Sequence, residues 1–281
     1  MTSLTLFGAG NMGAAILRGA VRGGLLRPEE ILVVEPDAGK RAAMAALGCA
    51  VAAAPSAGVA SPGDVAERAS PGVILLAVKP QMFPMLAEAI GVLPSPTIAI
   101  SIMAGLRSDS IRAALGPNSR VIRAMPNTPS QLGAGMTAVA RGAGAEPGDE
   151  EFALRLFGAV GRVERVEETL MHAVTAVSGS GPAYLFLLAE AMERAAGEVG
   201  FTPSQARIFV TQTIVGAAAL LAETGDGPAS LRAAVTSKGG TTEAAIATMQ
   251  AAGLEAAIIA GIVAARDRGE TLGGSAPRSP Q

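Results

Sequence analysis

The chain has 281 residues, 49% of them apolar and 16% charged, with a formal net charge of −2 and a sequence pI near 5.6. That length allows two domains with cores of their own, and the small charge with few aromatics leaves no footprint for nucleic acid. Cys49 is the only cysteine and His172 the only histidine, which excludes an intrachain disulfide, makes a His/Cys zinc site untenable and fits a reduced, cytoplasmic compartment.

Leu4 to Phe7 reads as a buried strand, too short for a signal peptide core and without basic residues before it. Gly8-Ala9-Gly10-Asn11-Met12-Gly13 follows with G-x-G-x-x-G spacing and opens a helix expected from Met12 to Arg22, stopped by Gly23-Gly24. Gly8 suits a tight turn, Gly10 a close backbone approach to a pyrophosphate, and Gly13 helix-against-strand packing, with the phosphates on the helix N-terminus. Among 35 glycines the spacing alone has little weight. Its place between strand and helix makes Gly8, Ala9, Gly10, Asn11 and Met12 a dinucleotide loop.

Pro28 fits the first turn of a short helical stretch before a second strand, Ile31 to Val34, that ends at Glu35. An acidic residue there either accepts hydrogen bonds from an adenosine ribose, which favours NADH over NADPH, or is a solvated carboxylate. Lys40 and Arg41, a turn into the helix expected from Asp37 to Leu47, keep both cofactors open. Val73 to Val78 is the next strand and runs into Lys79-Pro80-Gln81, where Lys79 is either a ligand for a phosphate or ribose hydroxyl or an ordinary loop lysine. Thr97 to Ile102 precedes Met103-Ala104-Gly105, small residues that let a cofactor pass close, and Val121 to Ala124 completes a set of strands buried on both faces. Strands alternating with helical patterns predict a parallel α/β sheet.

From Glu168 onward the pattern is helical: Pro182 to Val199, Pro203 to Thr224, Pro228 to Val235, Thr241 to Ala252 and Leu254 to Arg268. The expected domains are 1–163 for the dinucleotide and 164–270 for a helical half, with 271–281 as a disordered tail. Ile208 to Ala222 falls short of the roughly 20 residues of a membrane span. It contains Thr211, Gln212 and Thr213 and reads as a buried helix, in a core or at a subunit interface. His172 reads as a packed histidine. Two polar, glycine-rich segments, Ser178 to Pro182 and Ser237 to Thr242, precede helices and offer either caps or a carboxylate site. Capping alone does not call for Gly239-Gly240-Thr241-Thr242, so the second is the stronger anion-site candidate.

Together, Gly8 to Gly13, Ala77-Val78-Lys79-Pro80-Gln81, Arg123-Ala124-Met125-Pro126-Asn127-Thr128-Pro129, Ser178-Gly179-Ser180-Gly181-Pro182-Ala183-Tyr184 and Thr236 to Thr242 resemble the pyrroline-5-carboxylate reductase family. The resemblance implies an N-terminal Rossmann domain, an all-helical dimerisation domain, NADPH or NADH as cofactor, and reduction of 1-pyrroline-5-carboxylate to L-proline by a homodimer, with assembly beyond the dimer left open. It places Ala77, Val78, Lys79, Pro80 and Ala104 along the cofactor, and the substrate carboxylate on Ser237, Gly239, Gly240 and Thr241. It also puts the Thr242 hydroxyl on the ring nitrogen and Glu168 near the ring. A threonine is a poor general acid, so the expected role of Thr242 is orientation. The chain departs from the family at Lys238, where proline is usual, and at Glu35, where small polar residues are common. Another imine reductase stays open, because pocket shape sets ring size. A β-hydroxyacid dehydrogenase needs a catalytic lysine on its central helix, and no lysine lies between Lys79 and Lys238. A nucleotide-sensing regulator without turnover gives no reason for the glycine and threonine loop.

Overall fold

The computed structural model describes residues 4–55 and 72–274. These divide into two compact units, one running through Ser180 and resuming at Ala265, the other Gly181–Ala264.

The first unit is built on an eight-stranded sheet of order β3-β2-β1-β4-β5-β6-β7-β8. Its strands are β1 (Leu4–Phe7), β2 (Ile31–Val34), β3 (Ala50–Ala52), β4 (Gly72–Leu76), β5 (Thr97–Ser101), β6 (Ser119–Met125), β7 (Gly135–Arg141) and β8 (Gly161–Arg165). From β3 to β6 all neighbours are parallel, the order of a dinucleotide-binding sheet. β7 then runs antiparallel to β6, and β8 runs parallel to β7, so the expected five strands gain three, β3 at one edge and β7 and β8 at the other, with one reversal of direction. Every residue of β1 and β5 is buried, as apolar runs with helices on both faces require.

Helices α1 (Asn11–Arg22), α2 (Ala38–Ala46), α3 (Phe83–Ile90), α4 (Ser108–Leu115) and α5 (Glu151–Gly158) cover the sheet. One core layer packs Ile16, Leu17, Leu156 and Phe157 on one face, and a second gathers Phe7, Leu76, Phe83, Ile111 and Leu115 on the other. Cys49 is buried in the first layer, and that burial pushes its thiol pKa up, as befits an inert apolar filler.

The helices that follow are α6 (Met171–Val174), α7 (Gly181–Glu198), α8 (Pro203–Glu223), α9 (Pro228–Ala234), α10 (Thr241–Ala251) and α11 (Leu254–Leu272). Among the described residues no strand lies beyond Arg165. The expected division at 163/164 falls inside β8, while the two units part at 180/181, because β8 still pairs with β7 and α6 still packs on the sheet side.

Two expectations are corrected. α8 is 21 residues long, so it is not too short to cross a membrane, and by length and composition it qualifies. Only Ala206 and Val210 of it are buried within the chain, so it is not a core helix; Ile208, Phe209 and Val215 are exposed. The helix α11 continues to Leu272, so the expected tail starts later than 271; its remainder, 275–281, lies outside the described residues.

Candidate functional site

The glycine loop stands where the sequence puts it. Gly8 has φ +94°, and a Cβ there would lie 2.8 Å from the Ala77 carbonyl oxygen. A Cβ on Gly13 would run into the Gly8 carbonyl, whereas one on Gly10 would meet nothing within 4 Å. Gly10 is the N-cap of α1, and no acidic residue occupies the first turn. The first N–H groups of a helix have no intrahelical partner, so the open space over Gly10 suits a pyrophosphate and its negative charge. These residues fit a dinucleotide: tight where the backbone must turn, open where a ligand must enter.

Glu35 is not a solvated carboxylate. It is 5% exposed; Oε2 accepts the Ala9 N–H at 2.7 Å, and Oε1 accepts the Asp37 N–H at 3.0 Å. The parallel register that sets Phe7 beside Val34 brings the glycine loop against the end of β2, so the acid locks the loop. Arg41 Nη1 donates to the carbonyls of Glu35 and Pro36 at 2.8 and 2.6 Å, setting a guanidinium beside this corner. Asp37 caps α2 by accepting the Lys40 N–H at 2.8 Å. Between α1, α2 and the turn at Gln131 and Leu132 lies a cleft of about 360 Å³, open to Gly10 and Asn11 and carrying Arg18, Arg22 and Lys40.

Ala77, Val78, Lys79 and Pro80 follow β4; Ala77 is tied to β1 by its N–H on the Phe7 carbonyl at 2.8 Å, and Lys79 is exposed at the start of a 3-10 turn. Ala104 is exposed in the loop after β5, where the Ser101 hydroxyl accepts the Met103 N–H at 3.3 Å. Both loops leave carboxyl ends of parallel strands next to the switch between β1 and β4, the place where open α/β sheets bind ligands.

Glu168 opens a 3-10 turn and is fully engaged. Oε1 accepts the Ser108 N–H at 2.9 Å, Oε2 accepts the Ser108 hydroxyl, and Arg123 Nη1 stands 3.5 Å from Oε1. Arg123 is 4% exposed in the middle of β6; burial pulls its pKa down and the Glu168 charge opposes that. His172 is half-buried against Gly269 in the last turn of α11 and Gly273 just beyond it. Burial, and after it the Arg123 charge, holds its pKa below the ordinary 6.5.

Ser178 to Pro182 does not form the free polar loop that its composition suggests. Thr175–Gly179 is a π-helical turn closed by the Ser180 N–H on the Thr175 carbonyl at 2.8 Å. Asn127 secures it, donating from Nδ2 to the Ser178 carbonyl at 3.1 Å while its Oδ1 accepts the Met136 N–H at 2.9 Å. The glycine at 179 has a packing reason: a Cβ there would lie 2.7 Å from Met125 Cε.

In the second unit Ser237, Lys238, Gly239 and Gly240 form a turn that ends on the N-cap of α10, so Thr241 and Thr242 occupy its first turn. The Gly240 N–H closes the turn on the Ser237 carbonyl at 3.0 Å, and Gly239 takes φ +71°. A Cβ on Gly240 would strike the Ser237 hydroxyl, which explains the second glycine. The Gly239 N–H holds a carboxylate, that of Glu243, at 2.6 Å. Thr242 is half-buried and Lys238 is exposed.

Sequence reasoning gave no role to Ser108, Arg123 or Asn127. An arginine in the apolar run Val121 to Met125 is the one signal that pointed to a buried ion pair. Among the described residues no cluster of three metal-ligating side chains occurs.

Residues 168–272 match the family described as pyrroline-5-carboxylate reductase dimerisation, and residues 3–105 match the one described as NADP oxidoreductase, coenzyme F420-dependent. The pyrroline-5-carboxylate reductase of Escherichia coli strain K12 is 38% identical over 266 residues, 94% of this chain and 96% of that protein. The Synechocystis enzyme of the same name is 39% identical over 270 residues, 96% and 98% of the two chains. The solved structure of a pyrroline-5-carboxylate reductase from Coxiella burnetii superposes with a TM-score of 0.85 at 33% identity, covering 96% of this chain and 98% of the other. The Plasmodium falciparum pyrroline carboxylate reductase with NADP bound gives 0.82 at 22% identity over 97% and 98%, a likeness of fold.

Proposed function

The chain belongs to the pyrroline-5-carboxylate reductase family, and from that premise we propose that it reduces the C=N bond of 1-pyrroline-5-carboxylate to L-proline with NADPH or NADH. The observation that carries the reading in the chain's own residues is the 237–240 turn, whose Gly239 N–H already binds a carboxylate. The substrate is a small ring bearing one carboxylate, and the hold of Gly239 on the Glu243 carboxylate supports the turn as the seat of that group.

Residues 1–163 hold the dinucleotide through Gly8, Ala9, Gly10, Asn11, Met12, Glu35, Ala77, Val78, Lys79, Pro80 and Ala104. Residues 164–270 hold the substrate and the dimer contact, a reading supported by the dimerisation match over 168–272. When bound, the reduced nicotinamide supplies a hydride to the imine carbon, and the ring nitrogen gains or keeps one proton, giving the secondary amine and the oxidised cofactor. The backbone of Ser237, Gly239, Gly240 and Thr241 fixes the carboxylate, which requires Glu243 to release Gly239. The Thr242 hydroxyl orients the ring nitrogen, whose protonated form makes the carbon electrophilic; a threonine supplies no proton at neutral pH. Fixing the ring against the cofactor converts a bimolecular encounter into an oriented one, the main contribution open to a protein when the cofactor carries the chemistry.

The protein acts as a cytoplasmic homodimer, with association of dimers as the finer expectation. Leu185, Phe186, Leu187, Ile208, Phe209, Ile258 and Ile259 on α7, α8 and α11 are exposed in the single chain, and apolar surface on that scale calls for a covering partner. The test is loss of nicotinamide absorbance on mixing the protein with NADH or NADPH and the pyrroline. Turnover with proline as product upholds the reading, and nucleotide binding without turnover favours a sensor instead.

A further inference from the structure

We propose that Glu168 is a positioning residue for the cofactor loop after β5, acting from outside the substrate pocket as a helix cap supplied from a distant part of the chain. The inference rests on the reading above only in taking that loop to flank the nicotinamide.

The helix α4 begins at Ser108, and its own N-cap residue, Arg107, accepts no backbone N–H of the first turn on its side chain. The Arg107 guanidinium is instead turned onto Asp109. Glu168, 60 residues later, fills the gap: its carboxylate accepts both the Ser108 N–H, at 2.9 Å, and the Ser108 hydroxyl. A negative charge on the N-terminal N–H of a helix also meets the positive end of the helix dipole. The Ser108 hydroxyl in turn accepts the Ala143 N–H at 2.9 Å, so the cap is continued into the strand edge beyond β7. Arg123, buried in β6, stands 3.5 Å from Glu168 Oε1 and pairs its charge with the carboxylate at that spot.

The consequence falls on residues 102–107. That segment is pinned at its start, where the Ser101 hydroxyl accepts the Met103 N–H, and at its end through the Arg107 carbonyl, which accepts the Ile111 N–H at 3.2 Å, and through Ser108. With both ends fixed, Ala104 and Gly105 present a defined backbone to whatever lies over the carboxyl end of β5. Without Glu168 the Ser108 N–H at the start of α4 loses its cap, and Arg123 is left as a buried cation without its ion-pair partner. Because both Glu168 oxygens accept hydrogen bonds from Ser108 within the first unit, the residue serves the reaction through the loop.

The experiment compares Glu168→Gln, Ser108→Ala and the double variant Glu168→Gln with Arg123→Met, which removes the stranded cation and guards against simple unfolding. Cofactor affinity is read directly, by titrating NADH and NADPH against the quenching of nicotinamide fluorescence or by calorimetry, on samples shown folded by circular dichroism. Loss of a charge-assisted hydrogen bond predicts that Kd for the cofactor rises about tenfold or more in Glu168→Gln. The rise persists in the double variant and appears to a smaller degree in Ser108→Ala, while KM for the pyrroline stays within about twofold of wild type. A pyrroline KM that rises with cofactor Kd unchanged would place Glu168 on the substrate and overturn the inference, as would unchanged values of both. Wild-type protein that binds cofactor but never turns over would instead defeat the reductase assignment, leaving the Kd comparison intact.

Discussion

Replacing Glu35 by glutamine removes one acceptor and one charge while keeping the shape of the side chain. In the native corner Oε2 holds the Ala9 N–H at 2.7 Å and Oε1 holds the Asp37 N–H at 3.0 Å, with only 5% of the residue exposed. A glutamine has one acceptor oxygen and one NH2 group, so whichever way it turns, one backbone N–H faces another donor. A lost charged hydrogen bond costs about 1.5–3 kcal/mol, and the surviving bond, now to a neutral oxygen, weakens by about 1 kcal/mol. The variant should therefore lose about 3 kcal/mol in urea denaturation followed by circular dichroism. The same change removes a negative charge from the end of β2, where an adenosine ribose would lie. At about 6 Å and an effective dielectric near 20, one unit charge acts on another with about 3 kcal/mol. Solvent screening takes part of that, so the ratio of kcat/KM for NADPH to that for NADH should rise about tenfold or more. A variant as stable as wild type, within about 0.5 kcal/mol, and with the same cofactor ratio would refute both the lock and the repulsion.

Thr242→Ala should lower kcat/KM for the pyrroline by about 1–3 kcal/mol, tenfold or more, with nucleotide affinity unchanged, which steady-state assays and a nucleotide titration together would check. Gly13→Ala places a methyl against the Gly8 carbonyl and 3.3 Å from Ala77 Cβ; overpacking of about 1–3 kcal/mol should appear as a lower Tm and weaker nucleotide binding. His172 faces Arg123, Arg107, Glu168 and Glu270, and its folded pKa lies below 6.5. The unfolded chain therefore binds the proton more readily. The stability this group contributes is complete above about pH 6.5 and drains away as pH falls below it; urea midpoints across that range should show a steeper acid loss in wild type than in His172→Gln.

The central strands and the glycine loop were legible because burial on both faces leaves an uninterrupted apolar run, and because Gly8 and Gly13 answer local steric demands. β3 escaped notice as a strand of three residues, and β7 and β8 for a physical reason. Gly135–Arg141 is made mostly of small residues, and Gly161–Arg165 carries Arg162, Glu164 and Arg165 on an outer strand, so neither shows the dense apolar run of an inner strand. Glu35 was legible as a position and illegible as a conformation, since its partners depend on the register between β1 and β2. The capping of Ser108 by Glu168 spans 60 residues and has no local pattern at all. Helix α8 shows the opposite failure: apolar composition predicts burial without saying which chain supplies the cover.

The closing turns of α11 return to the first unit, where Gly269 and Gly273 lie against His172 and Gly273 also meets the Gly105 carbonyl. Domains tend to fold as they leave the ribosome, amino terminus first. Here the nucleotide half keeps an unfinished seam until residues 265–274 have been synthesised, so a nascent chain stalled after α10 would carry a sheet with that seam still exposed to solvent and to chaperones.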